Sequence, residues 1–311
     1  MEYLIIDFST IAFKNFFSEA KDNPMYFNDD ENIYRLKHSI LFSLFCHIKK
    51  TKIDFKNTIL AIDSKKYWRR KYFEHYKARR KLQRKATDMD FNSFYATVNY
   101  LIDDIREYFP IKVICQEYCE GDDICYILSK HLSPYYKIHI YSRDKDLYQV
   151  LRFKNVSLYN PDKKKNIVLS DKDLKKKINK HILMGDKGDD IPNILSDSDV
   201  FITPGKRQKP FGEKTIEKLI KNGNIVSYLE EYRENVIRNK RMIDMEYIPK
   251  KLVERVIKQW NEEILKDISE SEMIKYLREN DMPNILNLIG IDETKIRLKQ
   301  MMKDKYSKRF S

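Results

Sequence analysis

Glycine is scarce in this chain, and so are cysteine and tryptophan: seven Gly, four Cys and two Trp in 311 residues. The one stretch that superficially resembles a phosphate loop, FGEKTIEKLI at 211–220, lacks the G-x-x-x-x-G-K-[ST] spacing. Glu213 separates Gly212 from Lys214, which excludes an ATPase of that type. The cysteines, at 46, 115, 119 and 125, form no Cys-x-x-Cys pair, so neither a zinc site nor a redox motif is indicated. Free thiols in a reducing cytosol are the expectation. The longest apolar run near position 40, ILFSLFC, is too short to span a bilayer. The N-terminus, Met-Glu-Tyr, has neither a basic stretch nor a long apolar one, so no secretory signal is expected. A soluble, cytoplasmic protein without membrane partners follows.

Acidic residues are outnumbered, with 47 Asp+Glu against 60 Lys+Arg and a formal net charge of +13. A surface of that sign attracts nucleic acid. The excess is uneven. Residues 1–185 hold 35 basic and 24 acidic side chains, and residues 186–311 hold 25 and 23.

Short apolar runs alternate with helix-like stretches as far as about residue 185. Strands are expected at 2–7, 58–63, 111–115, 137–142 and 156–159, with amphipathic helices at 33–50, 93–108, 123–132 and 171–184. This alternation predicts an α/β domain over 1–185 with a mostly parallel central sheet flanked by helices. Beyond 186 the strand signals fade. Helical spacing at 213–222, 225–240, 250–265, 270–279 and 293–306 predicts a mainly helical second domain over 186–311. Residues 197–211 lack periodicity, hold two prolines and read as a loop or insertion.

The acids fall in five groups: Asp7 in YLIIDFS, Asp63 in TILAIDS, Glu120, Asp122 and Asp123 in EGDD, Asp144 and Asp146 in SRDKD, and Asp186, Asp189 and Asp190 in MGDKGDDIP. Each follows a strand-like run or opens a helix. Taken singly, an Asp after a strand is often a turn former and an Asp before a helix an N-cap. Together they read differently, because ligands of open α/β sheets bind outside the carboxyl ends of the strands. Carboxylates gathered there would repel one another without cations. Mg²⁺ favours such hard oxygen ligands, and two ions about 4 Å apart can clamp a phosphodiester. Asp123 and Asp190 take supporting positions, since their neighbours can supply the ligand.

Residues 64–85 carry eleven Lys/Arg and one acid, Glu74, interleaved with Tyr67, Trp68, Tyr72, Phe73 and Tyr76. Cations neutralise phosphates and aromatic faces stack unpaired bases, so this segment reads as a nucleic-acid contact.

The ordered set of LIIDFS, AIDSKKYWRRKYFEHYKARR, EGDDI, SRDKD and GDKGDDIPNI resembles the 5′-nuclease (flap endonuclease) superfamily. YWRR followed by YK, and MIDMEYIPK, point to its branch of T-even-type phage ribonuclease H proteins. The resemblance implies a PIN-like 5′-nuclease fold, with residues 64–92 as a basic arch and a helix–turn–helix duplex-binding motif in the helical region. It implies two Mg²⁺ ions, with Mn²⁺ able to substitute. Asp7, Asp63 and Glu120 would hold one; Asp144, Asp146, Asp186 and Asp189 the other; Asp122 would sit near the boundary. Lys77, in Tyr-Lys-x-x-Arg, matches the family's phosphate-activating lysine, with Arg69 and Arg80 next. Arg70, Tyr76, Arg79, Lys187, Gly212, Lys214 and Thr215 would contact nucleic acid, the last three at a helix N-terminus gripping a duplex phosphate.

Three departures stand out. Gly121 replaces a frequent Ala. The usual GDxxDNIPG has Asp190 for Asn and Asn193 for Gly. Residues 197–211 intervene before the helix–turn–helix, which bears on whether that turn holds a monovalent cation as in many relatives. The activity implied is 5′→3′ exonuclease and flap endonuclease action on DNA and RNA·DNA duplexes. It would remove RNA primers in phage replication in the host cytoplasm, by a monomer working beside a single-stranded-DNA-binding protein or sliding clamp. Two rivals are a PIN-like RNA endonuclease, which needs no arch or duplex platform, and a non-catalytic DNA-binding scaffold, whose mark would be lost acids.

Overall fold

The structure is a computed structural model that describes residues 1–20, 30–221, 229–263 and 267–291. In chain order its strands are β1 (Glu2–Asp7), β2 (Thr58–Ala61), β3 (Lys112–Ile114), β4 (Lys137–Tyr141), β5 (Val156–Asn160) and β6 (Lys165–Ile167). They form one sheet in the order β3-β2-β1-β4-β5-β6. β4 pairs in parallel with β1 and with β5, while β6 returns antiparallel on β5. The mixed, mostly parallel sheet agrees with the alternation of apolar runs. β6 was not anticipated. Its three residues, Lys-Asn-Ile, lie on an edge, where backbone pairing rather than an apolar pattern makes the strand.

The helices are α1 (Phe8–Glu19), α2 (Asp30–Thr51), α3 (Arg80–Lys85), α4 (Phe91–Tyr108), α5 (Gly121–Leu132), α6 (Asp171–Met184), α7 (Glu213–Lys221), α8 (Arg233–Ile243), α9 (Lys250–Glu263), α10 (Glu270–Glu279) and α11 (Pro283–Leu288). The mainly helical region after 186 is as expected. The helix anticipated at 293–306 and part of that at 225–240 lie outside the described residues.

Contacts divide the chain into two units. Among the described residues, the first comprises 1–10, 59–89, 114–221 and 229–263, the second 11–20, 30–58, 90–113 and 267–291. In the first, Ile5, Ile59, Ile138, Ile140 and Leu158 line a core with α5 and α9. Leu252, Val256 and Trp260 recur every four residues and place one face of α9 on that core, with Trp260 edge-on to Tyr3 at 5.2 Å. In the second, Phe16 of α1 meets Phe94 of α4 at 4.3 Å, and Tyr276 of α10 bonds Asp104 of α4 at 2.8 Å.

Candidate active site

Parallel pairing sets the acidic edge. Ile6 of β1 stands opposite Tyr141 of β4, so the next residues, Asp7 and Ser142, emerge side by side. The Ser142 hydroxyl donates to Asp7 Oδ2 at 2.7 Å, Thr10 to the same oxygen at 2.8 Å, and Ser9 to Oδ1 at 2.8 Å. Asp63 follows β2 by two residues. Its Oδ1 accepts the Gly121 amide at 2.7 Å, which ties it to the start of α5. That approach is close: a Cβ at Gly121 would stand 3.1 Å from the Ala61 carbonyl. An alanine here would need β2 and α5 to part by a few tenths of an ångström.

Asp144 and Asp146 occupy the turn after β4. Asp144 Oδ1 accepts the Asp146 amide at 2.8 Å. Asp186 and Asp189 come from a tight loop closed by paired bonds of 2.8 Å between Asp186 and Ile191. Gly185 permits that closure. Its φ is +68°, and a Cβ would stand 2.3 Å from the Ile191 carbonyl.

Crowding raises the affinity of these acids for protons. Packing among protein atoms, with Asp7 alongside, pushes Asp63 up to about 6, although one face of its side chain is open to solvent. Burial, then the charge of Asp144, pushes Asp146 up to about 7. Asp122 and Asp144 are raised by the protein packed around them, with Asp123 adding to the first, although Asp144 keeps a solvent-exposed face. Glu120 goes the other way. Burial alone would raise it, but Lys77 and Arg69 outweigh that and hold it down at about 2. Asp186 is likewise lowered against its burial, by His181 and Lys145.

The cations divide into those that reach the open edge and those that do not. Lys77 adopts a left-handed φ of +53°, rare for a residue with a side chain. Its amide bonds the Asp189 carbonyl at 2.9 Å, and its ammonium pairs with Glu120 and lies 3.5 Å from Asp189 Oδ2. Arg80 pairs with Asp189 at 2.6 Å and keeps 40% of its side chain exposed. Arg69, expected beside the scissile phosphate, is instead 97% buried behind the acids. Its Nε donates to the Met242 carbonyl, Nη1 to Glu120 at 2.7 Å, and Nη2 lies 2.9 Å from Asp123 Oδ1.

Asp123, counted in the acidic groups but given a supporting position there, faces inward too. It is fully buried, bonded by Trp68 Nε1 and by the Glu120 amide in a capping box. Tyr76, expected to stack on bases, is 1% exposed. Its hydroxyl lies 2.8 Å from Glu120 and 3.0 Å from Asp189 and shares one proton between them. Arg70 bonds the Tyr76 and Lys77 carbonyls, and Arg79 bonds the Lys187 carbonyl and pairs with Asp190. Both brace residues 76–79 rather than stand free.

Two departures from the family pattern thereby acquire partners. Asp190, at a left-handed φ of +60°, also accepts the Arg79 amide at 2.8 Å. Asn193 closes the 197–211 loop through Gln208 at 2.7 Å and the Lys209 carbonyl at 2.8 Å. That loop carries neither helix nor strand, as expected. At its end Phe211, with Ile216, seats α7 on Leu183 and Ile194, while Lys187, Lys214 and Thr215 are exposed and a Cβ at Gly212 would meet open space.

His181 escaped the sequence reading. The Lys-rich run 174–181 suits a further duplex contact or a solvated basic face, and Lys180 does turn outward to Glu213 at 2.6 Å. One position on, His181 turns inward. Its Nε2 lies 3.0 Å from Asp186 Oδ2 and its Nδ1 3.4 Å from Asp146 Oδ1. Among the described residues two groups have ligand atoms close enough for one cation: Glu120, Asp122 and Asp123, and Asp146, His181 and Asp186. The acids fit divalent metal on a further observation. Asp146 Oδ1 is buried and accepts no hydrogen bond, a costly state unless a cation meets it.

Several known proteins are similar to this chain. The chain is 27% identical over 269 residues to ribonuclease H of Enterobacteria phage T4, covering 83% of this chain and 85% of that protein. A T5 5′-exonuclease with zinc ions bound superposes with a TM-score of 0.60 at 17% identity, covering 85% of this chain and all of the other. A bacteriophage T5 flap endonuclease in a pseudo-enzyme–product complex with DNA and metal ions gives 0.59 at 18%, covering 86% and 100%. Residues 173–291 match the family model for the C-terminal region of T4 RNase H. Residues 2–186, more than half of the chain, match that of the 5′-3′ exonuclease N-terminal resolvase-like domain, so this protein belongs to the 5′-3′ exonuclease family of phosphodiester hydrolases.

Proposed function

We propose that this nuclease cleaves DNA and RNA·DNA duplexes near 5′ ends and at 5′ flaps, and that it removes RNA primers during phage DNA replication. The observation that carries this reading is the convergence of acids from separate parts of the chain beneath the arch base, with Lys77 and Arg80 paired to Glu120 and Asp189. Asp7, Asp63, Glu120 and Asp122 would hold one Mg²⁺, and Asp144, Asp146, Asp186 and Asp189 a second. Divalent cations there would offset the mutual repulsion of the acids and polarise the phosphodiester.

The chain's own groups do the rest. Lys77 and Arg80 would stabilise charge developing on the scissile phosphate. Arg69, Tyr76 and Asp123 hold Glu120 in place from behind. Arg70 and Arg79 fix the base of the arch. The exposed Lys187, with Gly212, Lys214 and Thr215 at the start of α7, would grip duplex phosphates. Hydrolysis breaks the P–O3′ bond and leaves a 5′-phosphate.

Alanine at Asp144 or Asp186 is expected to abolish cleavage of 5′-labelled flap, nicked and RNA-primed duplexes in Mg²⁺ while binding survives. Undiminished cleavage by both variants would sink the assignment. Strong preference for unstructured RNA over 5′-flap DNA would favour the PIN-like rival.

A further inference from the structure

Of the side chains grouped at metal-holding spacing among the described residues, His181 alone offers nitrogen. It sits in the last turn of α6, 80% buried, between carboxylates from two different loops. A hydrogen bond and a pair of neighbouring donors on an octahedral cation of about 2.1 Å bond length both give a separation near 3.0 Å. The 3.0 Å from His181 Nε2 to Asp186 Oδ2 therefore suits either.

Three surrounding features favour the cation. Asp146 Oδ1 is buried and takes no hydrogen bond, and ligand atoms of Asp146, His181 and Asp186 lie within 4.8 Å of one another. A cavity of about 340 Å³ opens beside Asp146, His181 and Gly185 and gives an entry path. Lys145, 3.1 Å from Asp186 Oδ2, is 66% exposed and free to swing aside as a cation arrives.

Donor chemistry then decides which cation. Carboxylate and water oxygens suit Mg²⁺ and Mn²⁺ alike, whereas an imidazole nitrogen is a softer donor that a transition ion accepts more readily than Mg²⁺ does. We propose that His181 supplies a nitrogen ligand, beside Asp146 and Asp186, to the second cation position and biases that position toward Mn²⁺ over Mg²⁺. This rests on the reading of the acidic edge as a metal centre.

The test is pulsed EPR of the full chain loaded with Mn²⁺ without DNA, paired with Mn²⁺ binding isotherms and Mg²⁺ competition. Wild-type protein should show ¹⁴N coupling from a coordinated imidazole. H181Q and H181A should lose it, with Mn²⁺ affinity down by about tenfold or more and Mg²⁺ affinity little changed. Bound Mn²⁺ without ¹⁴N coupling, or coupling that persists in H181Q, would overturn the proposal and leave the metal centre standing. So would equal losses for both ions, the signature of a histidine that only orients Asp186. Failure of the wild type to bind Mn²⁺ at all would overturn both. Should H181A fold poorly, ¹⁵N-histidine labelling of the wild type replaces the ¹⁴N pattern and keeps the test decisive.

Discussion

Replacing Arg69 by Gln separates structural support from catalysis at the acidic edge. The guanidinium is 97% buried and faces Glu120 and Asp123, whose side chains are 4% and 0% exposed. Glutamine keeps a donor but no charge, so two adjacent carboxylates lose their common counter-ion. Removing one partner of a buried ion pair costs about 3–5 kcal/mol, because the remaining charge stays out of water. At about 2–4 °C per kcal/mol for a domain of this size, Tm should fall by about 6–20 °C.

The pH dependence has a definite sign. The folded pKa of Glu120 is depressed to about 2, so its stabilisation is present above the unfolded value near 4.5 and is lost as pH falls through about 2. The deficit of R69Q should therefore be largest near neutrality and narrow on acidification, when protons replace the missing cation. Urea midpoints at pH 7.5 and pH 4 measure both quantities. A deficit under about 1 kcal/mol at pH 7.5, typical of exposed pairs, would refute the argument. So would one that widens at pH 4.

Other perturbations probe the neighbouring contacts. D190A removes the acceptor of the Arg79 amide and guanidinium and should cost about 1–3 kcal/mol. Trypsin should then cut faster within 79–85, whereas D190N, which keeps an acceptor and tolerates left-handed backbone, should resemble wild type. Equal cutting of D190A and wild type would show that Asp190 does not brace the segment around Arg79. Glu246 is bound by Lys130 and Tyr126 and approached by Arg152. Burial would raise it, but these contacts hold it down at about 2. It stabilises the fold above pH 4.5 and ceases to as pH falls toward 2, so Tm of E246Q should fall less steeply than wild type over that window. Parallel curves would refute this. K77M should slow cleavage by about 10²–10³ while flap binding persists. An equal fall in binding would point to a merely structural lysine.

The local pattern determined the strands that carry function. An apolar run ending in Asp identified β1 and the acid just past β2, and the order of the acidic groups along the chain singled out the acidic edge as a candidate metal site. These features are legible because strand periodicity and turn chemistry act over a few residues. Tertiary structure decided which way each side chain faces. Arg69 and Arg80 stand in one basic run, yet Arg69 is drawn inward by Glu120, 51 positions away, and by the Met242 carbonyl, 173 away. Tyr76 is sealed by Glu120 and Asp189. His181 follows four lysines within eight residues, and only the placement of α6 against the turns holding Asp146 and Asp186 turns it from a solvated face into the acidic edge. Burial and counter-charge are properties of the assembled fold, set by partners that no short window of sequence contains.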